Sequence, residues 1–186
     1  SNDFFQSRLQ ASPDGRYILS AGWVWHPVDS IEIFDLKDDI SNPKNLSPYR
    51  NEALQDLRLF EINAAVFIDN STIVLTGSDE DFDEVKYIYL FDVENSTILS
   101  KAKLPEIAGT LMGINKELAI GFYENPKLIN LKTGEIVYKW MDIFSGTQNS
   151  SINLQNELSP PIVFDEANKR FAVADSDFIH VITLEL

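Results

Sequence analysis

The residues best suited to chemistry in this chain are the carboxylates of one acidic segment. Asp79, Asp81 and Asp83 alternate there, and calcium loops begin with oxygen ligands at alternate positions. The pattern then departs from a calcium loop, because the sixth position is Glu84 instead of glycine and the twelfth is Leu90 instead of glutamate. We therefore predict a solvated acidic loop, and a calcium site at the three aspartates is the alternative.

Nucleophilic and acid–base catalysis find little support in the sequence. The chain has no cysteine and only two histidines, His26 and His180. It also lacks the serine elbow, the phosphate-binding glycine loop and the His-Glu-x-x-His zinc motif. His180 follows Ile179 in an apolar run that predicts a strand, whereas His26 lies in an aromatic loop and is kept as a binding candidate. We expect no enzymatic activity and no cofactor.

The elements that must position these side chains are short strands. Apolar and polar residues alternate with period two in runs rich in β-branched and aromatic side chains. The clearest runs are 17–21, 30–36, 72–76 and 86–93. Turn residues such as those of Pro13-Asp14-Gly15 separate them, because these residues fix a turn or tolerate positive φ. The pattern predicts an all-β meander.

The same strand pattern recurs four times along the chain. The distances from Ile18 to Ile73, on to Leu118 and on to Phe171 are 55, 45 and 53 residues. This period is typical of radial β repeats with one four-stranded blade per repeat. The repeats span approximately residues 8–46, 62–104, 107–140 and 161–186.

The repeats resemble those of the β-propeller superfamily with WD40-like, YVTN-like and quinoprotein-like members. Ser12-Pro13-Asp14-Gly15-Arg16 looks like their inner hairpin turn, 33–36 and 90–93 like the end of their third strand, and 130–140 like their outer hairpin. The Gly-His and Trp-Asp dipeptides of true WD40 repeats are absent. The resemblance implies one domain over 1–186 with about four blades, each a four-stranded antiparallel meander; a β-sandwich is the alternative fold.

The last repeat ends at its third strand, which leaves a blade to be completed. Residues 3–6 precede the first inner strand and are expected to supply the missing strand, since an open strand edge favours aggregation. The alternatives are an eight-bladed ring formed by a homodimer and a chain that is one part of a longer propeller.

In such a fold the loops between the second and third strands of the blades emerge on one face. By the repeat alignment these loops are 22–30, 77–86, 121–127 and 175–178. Their candidate partner-binding residues are Trp23, Trp25, His26, Asp79, Asp81, Asp83, Tyr123, Glu124, Asp175 and Asp177. Aromatic rings rimmed by carboxylates suit a basic peptide, a cationic ligand or a sugar. Packing between blades is the alternative role, and it is favoured for Trp23.

Charge and composition narrow the choice of partner. The chain carries 15 basic and 29 acidic residues, a net charge of −14, and 44% hydrophobic residues. Such a composition is that of a folded acidic protein, and it disfavours nucleic acid and anionic membranes as partners. No apolar run reaches the roughly 18–20 residues that span a bilayer. We expect a soluble chain without membrane insertion, and its compartment is not assigned.

These patterns favour a non-enzymatic propeller module that binds a protein or peptide, with a basic partner fitting its acidic and aromatic loops. One alternative is a propeller enzyme that processes a carbohydrate or small ligand, with calcium at Asp79, Asp81 and Asp83. The other is a structural part of a larger propeller. Fold alone does not decide among them.

Overall fold

The computed structural model describes residues 4–25, 28–39, 61–78, 86–149, 161–165, 168–175 and 177–185. Fifteen strands and one helical turn, α1 (Leu36–Asp39), are found there. The strands are β1 (Phe4–Phe5), β2 (Leu9–Ala11), β3 (Tyr17–Val24), β4 (Val28–Asp35), β5 (Glu61–Phe67), β6 (Thr72–Ser78), β7 (Tyr87–Asp92), β8 (Thr97–Lys103), β9 (Leu111–Gly113), β10 (Leu118–Gly121), β11 (Lys127–Asn130), β12 (Ile136–Lys139), β13 (Ile162–Asp165), β14 (Arg170–Ala174) and β15 (Ile179–Thr183).

The strands form four separate antiparallel sheets, and each sheet contains strands that are consecutive in the sequence. The second and third sheets are complete meanders, β5-β6-β7-β8 and β9-β10-β11-β12, whereas the fourth consists of β13-β14-β15. This arrangement confirms the predicted all-β, four-blade fold. The alternative of a β-sandwich is wrong, because a sandwich needs two sheets packed face to face.

The first sheet differs from the expectation at its beginning. β1 pairs with β3 through Phe4–Val24 and Phe5–Trp23, and β2 pairs with the preceding part of β3. The two short strands therefore share one edge of β3. The prediction that residues 3–6 complete the last sheet is wrong for Phe4 and Phe5, since the aromatic pairing with Trp23 holds them in the first sheet.

Three hydrophobic clusters fill the spaces between successive sheets. The first joins β3 and β4 to the second sheet through residues such as Leu19 and Leu75. The next joins the second and third sheets, and the last brings Phe171 and Val173 of β14 against the third sheet. Every residue of β6 is buried, because its sheet has a neighbour on both faces. In this stacking β5 contacts both β2 of the first sheet and β9 of the third sheet.

Hydrogen bonds from Asp and Asn side chains hold the turns. In the turns between first and second strands, Asp14, Asp69, Asn115 and Asp165 each accept a backbone N–H a few residues further on. Such side-chain-to-backbone bonds stabilise tight turns. The strands that precede three of these turns, β2, β5 and β9, line an open cavity of about 310 Å³. The first strands of three of the four sheets therefore face one shared space, as in the predicted blades.

Candidate functional site

An aromatic stack formed by Phe5, Trp23 and Trp25 lies at the loop end of the first sheet. The rings of Phe5 and Trp23 are parallel, with centroids 4.1 Å apart and 12° between planes. The Trp23 and Trp25 centroids are 6.3 Å apart. Trp25, the outermost member, has 62% of its surface exposed. Trp23 therefore packs against Phe5 of its own sheet, whereas the predicted packing was between blades, and Trp25 presents its ring to solvent.

The local sequence explains this stack. β3 and β4 pair along their full length from Tyr17–Asp35 to Val24–Val28, so the region predicted as a loop over 22–30 is mostly hairpin. Gly22 lets β1 approach closely, since a Cβ at this position would lie 2.0 Å from the carbonyl oxygen of Phe5. The sequence analysis placed Phe5 in the last blade and gave it no part in the aromatic site, although two adjacent phenylalanines before the first strand were a visible signal.

Tyr123 and Glu124 occupy the corresponding loop of the third sheet, between β10 and β11. The Glu124 backbone has φ of 60° and pairs with Gly146, its N–H donating to the Gly146 carbonyl over 2.6 Å. The Tyr123 N–H donates to the Ala108 carbonyl over 2.9 Å. Backbone pairing thus fixes this loop, while the Glu124 side chain is exposed.

A buried ion-pair network anchors the same end of the third sheet. The Lys127 side chain is only 1% exposed, and its Nζ lies 2.8 Å from Glu106 Oε1. Lys139 Nζ lies 2.9 Å from the same oxygen. Burial alone raises the pKa of Glu106, but hydrogen bonds from Lys127 and Lys139 outweigh it and lower that pKa. Sequence reasoning missed this network, because nothing in the spacing links Glu106 to the two lysines.

Asp175 and Asp177 lie in the loop between β14 and β15. Asp175 Oδ1 accepts the backbone N–H groups of Asp177 and Phe178 at 2.9 and 2.8 Å, and its Oδ2 lies 2.7 Å from His180 Nε2. Hydrogen bonds from the Asp177 backbone and from His180 lower the pKa of Asp175 to about 2. Asp175 therefore holds its own turn, and Asp177 is the exposed carboxylate of the pair.

The remaining candidates, His26 and the three aspartates at 79, 81 and 83, lie outside the described residues. Within the described part of the chain, no group of three or more His, Cys, Asp or Glu side chains could hold a metal ion. The calcium alternative at the three aspartates stays a prediction. Among the described residues there is also no helix long and apolar enough to cross a membrane.

The described candidates fall into one close pair and two separate loops. Trp23 and Trp25 are brought together with Phe5, while Tyr123 and Asp177 lie on loops of the third and fourth sheets. These residues lie at or just after the ends of the strands β3, β10 and β14 of three sheets. We call the ends of these strands, with Trp25, Tyr123, Glu124 and Asp177, the loop face. Lysines also lie at the loop face. Among them, Lys86 forms a further ion pair, with its Nζ 3.7 Å from Glu61 Oε2.

Comparison with known proteins identifies the fold and leaves the family open. No family model matches the chain, and no curated protein matches it. Several solved structures, however, are similar to the chain. The chain is similar to the β-propeller domain of the Trilobed protease from Pyrococcus furiosus, with 9% identity, a TM-score of 0.54, and coverage of 97% of this chain and 68% of that one. The fold is a β-propeller.

Two further solved structures of similar likeness are larger than this chain. A structure of KlHsv2 has 10% identity and a TM-score of 0.52, with 100% of this chain and 50% of that one covered. A prolyl endopeptidase structure has 9% identity and a TM-score of 0.54, with 98% and 27% covered. The chain therefore spans half or less of the length of these two neighbours, and at such identities the likeness shows the propeller fold alone.

Proposed function

We propose that this propeller is a non-enzymatic module that binds a basic protein or peptide at its loop face. The observation that carries the proposal is the aromatic stack, in which Trp25 stands exposed on the support of Trp23 and Phe5. A large exposed ring that is held in place has little side-chain freedom left to lose on binding, and tryptophan is enriched among the residues that dominate binding energy. A Lys or Arg side chain over the Trp25 ring would gain a cation–π interaction of about 0.5–2 kcal/mol.

The charges of the loop face support a basic partner. Three of its described lysines are already engaged by carboxylates of the same chain: Lys86 by Glu61, and Lys127 and Lys139 by Glu106. The exposed Glu124 and Asp177 carboxylates add negative charge at the ends of two other loops. A net charge of −14 over the whole chain would speed the encounter with a cationic partner at low salt.

The test uses arrays of synthetic peptides that run from acidic to basic composition, followed by titration of the strongest binders. We expect basic peptides to bind, and Trp25→Ala to weaken them by about 1–2 kcal/mol, or roughly five- to thirtyfold in Kd. The matched control is Leu99→Ala, which removes an exposed apolar side chain from β8, an outer strand away from the stack. Equal weakening by both variants, or a preference for acidic peptides, would contradict the proposal.

A second candidate function is structural, and one observation favours it. Clusters fill the three spaces between successive sheets, but Val163 and Val181 on the outer face of the fourth sheet are exposed. Exposed apolar faces mark interaction surfaces, so this face fits a part of a larger propeller. Light scattering on a sizing column tests it, because an isolated part would self-associate and a self-sufficient module would give the 21.1 kDa chain mass.

A further inference from the structure

The cavity between the first strands of three sheets differs in charge from the rest of the protein. Its lining comes from β2, β5 and β9 and from the residues beside them. Among the described residues that line it, Arg8 is basic and none is acidic, although the chain as a whole carries a net charge of −14. A basic cavity without carboxylates favours an anionic ligand, because the local potential attracts it.

Arg8 lies at the junction of β1 and β2 and reaches across the gap between the first two sheets. Its backbone φ of 43° is one that residues other than glycine rarely adopt. Its Nε donates to the Ala21 carbonyl of β3 over 3.2 Å, and its Nη2 donates to the Asn63 carbonyl of β5 over 2.8 Å. Two sheets therefore hold the guanidinium in place, and a group that is held loses little freedom when a ligand binds.

The Arg8 guanidinium keeps hydrogen-bond donors for a ligand. A guanidinium carries five N–H groups, and the bonds to Ala21 and Asn63 use one on Nε and one on Nη2. The remaining N–H groups have no hydrogen-bond partner among the described residues. Burial lowers the pKa of Arg8, and attraction by the Asp29 carboxylate offsets this only in part. The surroundings of the guanidinium therefore supply less negative charge than it can accommodate.

Two further side chains of the lining can donate hydrogen bonds. Gln10 Oε1 accepts the Phe67 N–H over 2.9 Å. The Gln10 amide nitrogen, which can only donate, is thus left for a different acceptor. Thr110 also lines the cavity, and its hydroxyl can donate as well. The polar side chains of the described lining therefore suit a ligand that accepts hydrogen bonds.

The apolar part of the lining and the size of the cavity limit the ligand. Leu9, Val66 and Leu111 contribute apolar side chains, and the volume of about 310 Å³ lies at the lower end of the range for small-molecule sites. One guanidinium balances one negative charge, whereas a phosphate monoester carries about −1.5 to −2 at pH 7. A carboxylate on a short apolar body fits best, because its two oxygens match the guanidinium fork.

We propose that this cavity is a binding site for a small monocarboxylate. The carboxylate of the ligand accepts hydrogen bonds from Arg8, with Gln10 and Thr110 as further donors. Its apolar body lies along Leu9 and Leu111. Trp25 takes no part in this site, so carboxylate binding in the cavity is independent of the binding of a basic peptide at the loop face.

Isothermal titration calorimetry of the whole chain with acetate, butyrate and hexanoate at constant ionic strength tests the site. Hexanamide is the matched neutral ligand, and inorganic phosphate is the competing anion. We expect saturable binding that tightens from acetate to hexanoate, with hexanamide at least about tenfold weaker than hexanoate. Hexanoate at about 100 times its Kd should raise Tm by about 5–11 °C.

Leu9 offers a matched pair of protein variants, because its side chain lines the cavity and is 67% exposed. Leu9→Glu adds a carboxylate, and Leu9→Gln adds a neutral side chain of the same length. We expect hexanoate to bind Leu9→Glu at least about tenfold more weakly than Leu9→Gln. Arg8→Gln removes the guanidinium and should abolish binding. Thermal melting of the free variants verifies folding, and the Leu9 pair decides the case if Arg8→Gln fails to fold.

Four results would overturn the proposal. The first is no saturable binding of any of the carboxylates up to about 20 mM. The second is equal affinity of Leu9→Glu and Leu9→Gln for hexanoate, which would place the ligand outside this cavity. The third is phosphate binding more tightly than hexanoate. The fourth is loss of hexanoate binding in Trp25→Ala, which would place the ligand on the aromatic stack.

Discussion

Replacing Phe171 with alanine tests the docking of the fourth sheet against the third. The Phe171 side chain is 1% exposed and packs edge-to-face against Phe122 and Trp140, with ring centroids 5.4 and 5.2 Å away. Truncating a buried phenylalanine to alanine costs about 3–5 kcal/mol. In a chain of this size each kcal/mol lowers Tm by roughly 2–4 °C, so Phe171→Ala should lower Tm by about 6–20 °C.

Differential scanning calorimetry and urea unfolding measure this effect, with Val181→Ala as the matched control. Val181 lies on the opposite, exposed face of the same sheet, and its truncation should cost no more than about 0.5 kcal/mol. Phe171→Leu separates the loss of buried volume from the loss of aromatic pairing, because leucine keeps most of the volume. It should cost only the energy of the lost ring pairs, about 0.5–1.5 kcal/mol per pair. Equal stability losses in Phe171→Ala and Val181→Ala would refute the packing of the two sheets.

Two further predictions concern backbone approach and pH. Gly77→Ala should cost about 1–3 kcal/mol, because a Cβ there would lie 2.2 Å from the Glu61 carbonyl oxygen; unchanged urea unfolding would contradict this close approach. The pKa of Asp175 is held at about 2 by hydrogen bonds from the Asp177 backbone and His180, so its stabilising effect is present above the ordinary value of 3.8 and is lost as the pH falls toward 2. Wild type should therefore lose more stability than Asp175→Asn between about pH 5 and about pH 2.5, and parallel losses in urea titrations would count against that role.

Much of the fold follows from local pattern, because a blade is a meander of neighbouring strands. The repeat at Ile18, Ile73, Leu118 and Phe171 marks the second strand of every sheet, since these strands are buried and alternate with period two. The turns were predictable for the same reason. An Asp or Asn side chain that bonds its own backbone needs no distant partner.

The errors arose where distant residues decide the structure. Phe4 and Phe5 are apolar and fit any sheet edge by pattern, and only the contact with Trp23 selects the first sheet. The carboxylate of Asp175 looked available for a ligand, but its own turn and His180 engage it. Long-range pairing of this kind has no signature in a single sequence.

The stacking of the sheets has a consequence for cooperativity. Among the described residues, each hydrophobic cluster joins two neighbouring sheets, so the stability of the molecule approximates a sum of sheet terms and nearest-neighbour terms, as in repeat proteins. A sheet that takes part in one of these clusters opens at lower free energy than a sheet that takes part in two, and amide hydrogen exchange registers that difference. The aromatic stack belongs to the first sheet, which takes part in one cluster. A partner that clamps the stack therefore stabilises a part of the molecule that opens early.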